Sequence, residues 1–350
     1  MSVKRFTSYG ASRRGMAGLG LALVSAAAFG TSGSFADALM STRWSPGAVV
    51  TVRISVAAAL LTGPALVQLR GRWKALRSSA GVIVLYGLVA VAGCQLCFFN
   101  AVRRLDVGVA LLLEYMGIVL VVLWMWLRHH RRPRWLTLLG VLAALAGLVL
   151  VLNPSASGGL DGMGVLWGLL AGTGLAVFFV ISARQDDEVP PLAVAWGGMV
   201  VGALALAGLA ALGWLPWQAA SADVELFGRQ LSWVVPVLGL SVIAAAIAYT
   251  AGVGAARRLG ATVASFVGLT EVLFAVAFAA VLLSQVPSVV QVLGGLVVLI
   301  GVALVRATET GPVPASPEVP ASPEVPVSPV IQVSAVPETP QRPTGTKLDV

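Results

Sequence analysis

The sequence predicts an all-α polytopic membrane protein, with ten transmembrane helices in two inverted five-helix repeats. Three observations carry that reading. Apolar runs recur along most of the 350 residues, each close to the roughly 17–25 residues that a helix needs to cross a bilayer. The composition is 58% hydrophobic and 11% charged, where a soluble domain carries about 25% charged residues. The second half of the apolar region repeats the first at a constant offset.

The runs place spans at about 15–39, 47–69, 80–101, 108–127, 135–152, 163–183, 192–214, 233–254, 261–284 and 288–305. The expected organisation is an N-terminal segment 1–14, a first five-helix repeat 15–152, a second 163–305, and a tail 306–350. The N-terminus has a basic front, an apolar stretch and small residues, as a signal peptide would. The apolar character continues through Phe35 to Met40, so it is read as an uncleaved first span.

The formal net charge of +8 would suggest nucleic acid in a soluble protein. Here the cations lie in short loops, and no nucleic-acid partner is expected. With the N-terminus inside, the inner segments hold Arg13, Arg14, Arg70, Lys74, Arg77, Arg128, Arg134, Arg257 and Arg258 among others. The outer loops hold only Arg43, Arg103, Arg104 and Arg229. That bias predicts both termini in the cytoplasm, in an inner (plasma) membrane. One inner loop, 184–191, is acidic, and acids count for little in this rule. The tail repeats "ASPEVP" and lacks apolar periodicity, so it is expected to be extended and disordered.

The duplication is clearest between 101–151 and 255–305, offset by 154 residues. Arg103 and Arg104 meet Arg257 and Arg258, Pro133 meets Pro287, and "LGVLAALAGLVLV" meets "LGGLVVLIGVALV". Five spans is an odd number, so the second copy enters the membrane from the opposite side. Inverted repeats are a signature of secondary transporters, with the substrate site near the midplane between the halves.

Charged residues inside the spans are the candidate machinery: Asp37, Arg53, Glu114 and Glu271. Each costs about 2.5–3.5 kcal/mol near a helix centre, so such residues face the bundle interior and mark substrate or proton paths. Glu114 is flanked on both sides by apolar sequence and has no short route to water. A carboxylate so placed can bind a cationic group, carry a proton, or alternate between the two. The 154 offset pairs Glu271 with Gly117, three residues from Glu114, so the two acids share nearly one helix face. Arg53 either snorkels to the outer face or holds a substrate carboxylate by a two-pronged hydrogen bond. Asp37 sits at the outer interface.

Other patterns are read as structure. Cys94 and Cys97 are small buried residues, since zinc would need further ligands. The GxxxG spacings at Gly168–Gly172 and Gly198–Gly202 permit close helix contact. "GLDGMG" at 159–164 is not a dinucleotide loop. His129 and His130 lie in a basic loop suited to lipid headgroups. Trp135, Trp214 and Trp217 fit interfacial anchors.

The segment "FFNAVRRLDVGVALLLEYMGIVLVVL" resembles the third-to-fourth span region of threonine/homoserine-type exporters, in the EamA-type branch of the drug/metabolite transporter superfamily. Leu113, Glu114, Tyr115 and Gly117 form the pattern, and Glu271 falls at the matching acidic position of the second half. Arg53 falls where these proteins carry an Arg in the second span. This chain departs from the family pattern at Ile118 and Val272, which stand where Pro is common. It departs again at Ser284-Gln285, which replaces Gly-Glu, and at Asp37, which replaces a Lys.

The resemblance implies an exporter of small metabolites, amino acids or related amphipathic compounds; the inverted repeats imply alternating access, and a protonatable Glu114 implies coupling by proton antiport. Its expected substrate-binding residues are Glu114, Arg53, Glu271, Tyr115 and Asn100, with Glu114 also carrying the proton. No enzyme activity, metal or cofactor is expected. Expected partners are a small-molecule substrate and membrane lipids, with a homo-oligomer left open. An importer on the same fold and a scaffold presenting the Pro-rich tail are the alternatives.

Overall fold

A computed structural model describes residues 3–102, 104–105, 107–129, 134–152, 161–184, 188–282 and 288–309. The tail from 310 onward, His130, Arg103, Pro133, Pro287 and the Ser284-Gln285 pair lie outside the described residues. Among those described, eight helices are long and apolar enough to cross a membrane: α1 (Gly15–Met40), α2 (Pro46–Gln68), α3 (Ala80–Ala101), α4 (Ala110–Arg128), α6 (Gly162–Ser182), α7 (Pro191–Ala211), α8 (Val234–Leu259) and α9 (Ala261–Leu282). Two shorter apolar helices, α5 (Trp135–Val151) and α10 (Val289–Val305), occupy the fifth and tenth expected positions.

Local chemistry sets the helix ends. Ser45 caps α2 by accepting from the Ala48 N–H, with Pro46 as the first helical residue. Asp161 caps α6 by accepting from the Met163 N–H. Gly260, at φ +79, turns α8 into α9. The buried faces are rich in alanine and glycine, while large side chains such as Leu123, Trp124, Leu142 and Leu299 point outward. Lipid tails are as apolar as leucine, so helices associate here through small residues that let backbones approach.

Several helices are interrupted where continuous spans were expected. α4 breaks at Met116, between Val107–Tyr115 and Gly117–His129. α9 breaks at Leu269, between Ala261–Gly268 and Thr270–Leu282. α3 and α8 each carry a wide π turn, at Tyr86–Gly93 and Gly239–Ile247. These irregularities recur at about the 154-residue offset, so the repeat extends to backbone detail. α1 also breaks, at Thr31.

Packing follows the repeat with the halves exchanged: α1 lies on α8 and α9, and α6 lies on α3 and α4. α5 packs on α10 through glycines in reversed order. A Cβ on Gly140 would stand 2.9 Å from the Gly301 carbonyl, and one on Gly147 would stand 2.7 Å from that of Gly294. The two helices therefore run antiparallel. Both GxxxG pairs are likewise contact points: Gly168 and Gly172 meet Leu113 and Glu114 of α4, and Gly198 and Gly202 meet α3.

One element had no sequence expectation. Between α7 and α8, β1 (Val224–Leu226) pairs antiparallel with β2 (Arg229–Leu231). Phe227 and Gly228, at φ +56 and +65, make the two-residue turn. The segment is pinned to the bundle. Ser45 Oγ donates to the Pro216 carbonyl at 2.7 Å, Trp44 Nε1 to that of Ala220 at 2.7 Å, and the Phe227 N–H to that of Leu282 at 3.1 Å.

Candidate functional site

The breaks in α4 and α9 bring the two membrane carboxylates together. Glu114 ends the first part of α4 and Glu271 lies in the first turn of the second part of α9. Both line one cavity of about 60 Å³, whose walls come from α1, α3, α4, α6, α8 and α9. Those helices hold corresponding places in the two repeats. The cavity runs from the acids past Gly252, Ala255 and Ala264, toward the α8–α9 turn at Gly260. The opposite end of the bundle is covered by the segment holding β1 and β2.

Three aromatic rings close on one another at the cavity wall. Phe29 and Tyr249 stand 5.0 Å apart by ring centroid, Phe178 and Tyr249 5.6 Å, and Phe29 and Phe178 6.3 Å, all edge to face. Phe179 adds a fourth ring, 4.9 Å from Phe178. Such contacts fix ring orientation.

Glu114 is held from α3. The Cys94 thiol donates toward Glu114 Oε1 at 3.4 Å and toward the Ala171 carbonyl at 3.3 Å. Cys94 is therefore more than an apolar filler; it is a polar neighbour of the central acid. Its CxxC partner Cys97 is only partly buried, and no group of three metal-ligating side chains forms among the described residues. Tyr115 does not line the cavity, and its hydroxyl lies on the side of Glu271.

Arg53 differs from both sequence readings. It is 2% exposed, so it does not snorkel, and it stands behind the cavity wall rather than on it. Its Nη1 donates to Ser32 Oγ at 2.9 Å and to Gln95 Oε1 at 3.1 Å, and its Nη2 donates to the Ala244 carbonyl. The guanidinium thus ties α1, α2, α3 and α8 together. Desolvation would make a free guanidinium there costly, and three acceptors offset the cost.

Asn100 is separate from the acids. It lines a second cavity of about 270 Å³ with Phe99, Trp167 and Trp214, under the Leu215–Pro216 end of the α7–α8 segment. Its Nδ2 donates to the Leu96 carbonyl at 2.8 Å. Asp37 is exposed at the end of α1. Asp161, just outside α6, pairs with Arg104 at 2.9 Å. That hydrogen bond, together with the Met163 N–H, holds its carboxyl below the usual range.

Sequence reading missed Cys94, Gln95, Phe29, Phe178 and Tyr249. One signal was present: Gln95 and Tyr249 are related by the same 154-residue offset as the arginine pairs, and both line the cavity.

The chain also resembles known proteins. A model of the EamA-like transporter family matches residues 16–153 and again 162–307. An uncharacterized inner membrane transporter of Salmonella typhimurium, YicL, is 24% identical over 302 residues, covering 85% of this chain and 96% of that protein. A solved crystal structure superposes with a TM-score of 0.63 at 20% identity, over 86% of this chain and 98% of the other.

Proposed function

The chain belongs to the EamA-like transporter family, and from that premise we propose that it exports small amphipathic metabolites, amino acids and related amines among them, by alternating access coupled to proton antiport. The observation that carries the proposal is the convergence of Glu114 and Glu271, one from each repeat, on one cavity at the broken points of α4 and α9. Broken helices at a repeat interface free backbone groups and side chains for a ligand at membrane depth.

In this reading all ten helices cross the membrane, and the second repeat is inverted relative to the first. The antiparallel α5–α10 pair and the exchanged packing of α1 and α6 support it. Both termini lie in the cytoplasm of an inner-membrane protein, so the cavity opens inward and the β1–β2 segment covers the outer side. Glu114 exchanges a proton for the substrate's ammonium group. Glu271, with Tyr115 beside it, is the second acid. Arg53 is a positioning residue that neutralises part of the acids' charge and holds Gln95 at the wall.

Everted membrane vesicles loaded by an imposed pH gradient test this directly. Wild-type protein should take up labelled substrate and dissipate the gradient. Glu114→Gln keeps the shape of the side chain and removes its charge change, so it should abolish both. Uptake by Glu114→Gln at the wild-type rate refutes the assignment.

A further inference from the structure

We propose that the cavity selects organic amines: a protonated nitrogen on an apolar or aromatic body, with no carboxylate required. This rests on the carrier reading above and names the ligand class of the same site. The charged groups on the wall are two carboxylates, Glu114 and Glu271. The cation next to them, Arg53, is absent from the wall, and its two terminal nitrogens are already donating to Ser32, Gln95 and Ala244. A ligand carboxylate entering here would meet two acids on the wall, with the guanidinium behind it and its terminal nitrogens engaged.

The rest of the wall suits the other end of such a ligand. Phe29, Phe178 and Tyr249 form a closed triangle of rings contributed by α1, α6 and α8. Ring faces attract an ammonium and pack against an apolar body, and both effects grow where water is excluded. At about 60 Å³ the space is well below the ~300 Å³ lower bound of sites for drug-sized ligands. A single-ring amine therefore fits only if these rings part to admit it.

The test uses the full-length purified chain in detergent and three probes that share one ring: phenethylamine, phenylalanine and 3-phenylpropionate. Thermal unfolding against probe concentration gives each affinity. Phenethylamine should stabilise the chain, phenylalanine should bind no more tightly, and 3-phenylpropionate should give no shift. Phe178→Leu should weaken phenethylamine by about 3- to 30-fold, the range of a cation–ring contact. The proposal is overturned if the acid stabilises the chain, if phenylalanine binds tenfold more tightly than the amine, or if no probe binds. The wild-type panel decides this even if a variant folds poorly. An amine that binds but is not carried in vesicles leaves the ligand class standing and refutes the carrier reading. Carboxylates carried without amine binding do the reverse.

Discussion

Gly172→Ala should damage the protein out of proportion to one methyl group. Gly172 lies where α6 crosses the break in α4, and a Cβ there would stand 2.9 Å from the Glu114 carbonyl, 2.9 Å from that of Leu113, and 3.1 Å from the Gly117 nitrogen. Ordinary Cβ contacts begin at 3.4 Å. All three neighbours are backbone atoms, so none can rotate away, and the helices must part by about 0.5 Å. Overpacking of this kind costs about 1–3 kcal/mol. The displaced segment carries Glu114, so transport should fall by about tenfold or more, as expected when a working group is misplaced by a fraction of an ångström. The control is Gly208→Ala in α7, where nothing lies within 4 Å. It should be neutral or stabilising, by up to about 1 kcal/mol from helix propensity. Thermal unfolding and vesicle transport on both variants form the assay. If Gly172→Ala matches wild type in both, the close crossing does not hold the acid.

Three further outcomes follow from named contacts. Arg53→Lys keeps the charge but replaces a fork by a single ammonium, so at least one charge-assisted bond to Ser32, Gln95 or Ala244 is lost; thermal unfolding should show a loss of about 1.5–3 kcal/mol. Asp161 is depressed in the folded chain, so its contribution to stability is fully present above the unfolded value near pH 3.9 (an approximate reference) and is lost as pH falls through the lower folded value; melting curves from pH 6 down to pH 2 should show that step in wild type and not in Asp161→Asn. Gly228→Val forces a branched side chain into φ +65 at a cost of about 1–2 kcal/mol, and limited proteolysis should then cut the β1–β2 segment faster.

Much of the architecture could be read from residue order because a bilayer imposes one strong rule. Helices must satisfy their own backbone groups, so long apolar runs become helices. The acids were legible for the same reason, since Glu114 in hydrocarbon needs a purpose. What escaped were features set by contact between distant segments. The break at Met116 and the wide turns in α3 and α8 leave no mark in hydropathy. Arg53 looked like a residue within reach of the surface, yet its partners Ser32, Gln95 and Ala244 come from three other helices. The β1–β2 turn uses Phe at φ +56, a position where Asn or Gly is the usual signal.

The departures from strict repetition cluster at the crossings beside the two acids. Gly18 of α1 meets Arg258 and Leu259, and Gly164 of α6 meets Arg104 and Leu105. Here the offset is 146 for the first helices and 154 for their partners. The family match has the same drift, from 16 and 162 at its starts to 153 and 307 at its ends. The extra residues of the second half fall between α7 and α8, in the segment that folds as the β1–β2 cover. With this register, Gly172 corresponds to Ala26. Gly172 is in contact with α4 at Glu114 and Gly117, whereas Ala26, Gly268 and Glu271 all line the cavity. The halves thus share one corner contact and place the next close crossing one turn apart: α6 meets α4 at Gly172, against the Glu114 carbonyl, and α1 meets α9 at Gly30, against the Glu271 carbonyl. An acid stands at 114 with glycine at 117, and the order is reversed at Gly268 and Glu271. In the first half the glycine admits α6. In the second half Gly268 lies on the cavity wall, and the carboxylate one turn later, Glu271, reaches the same space.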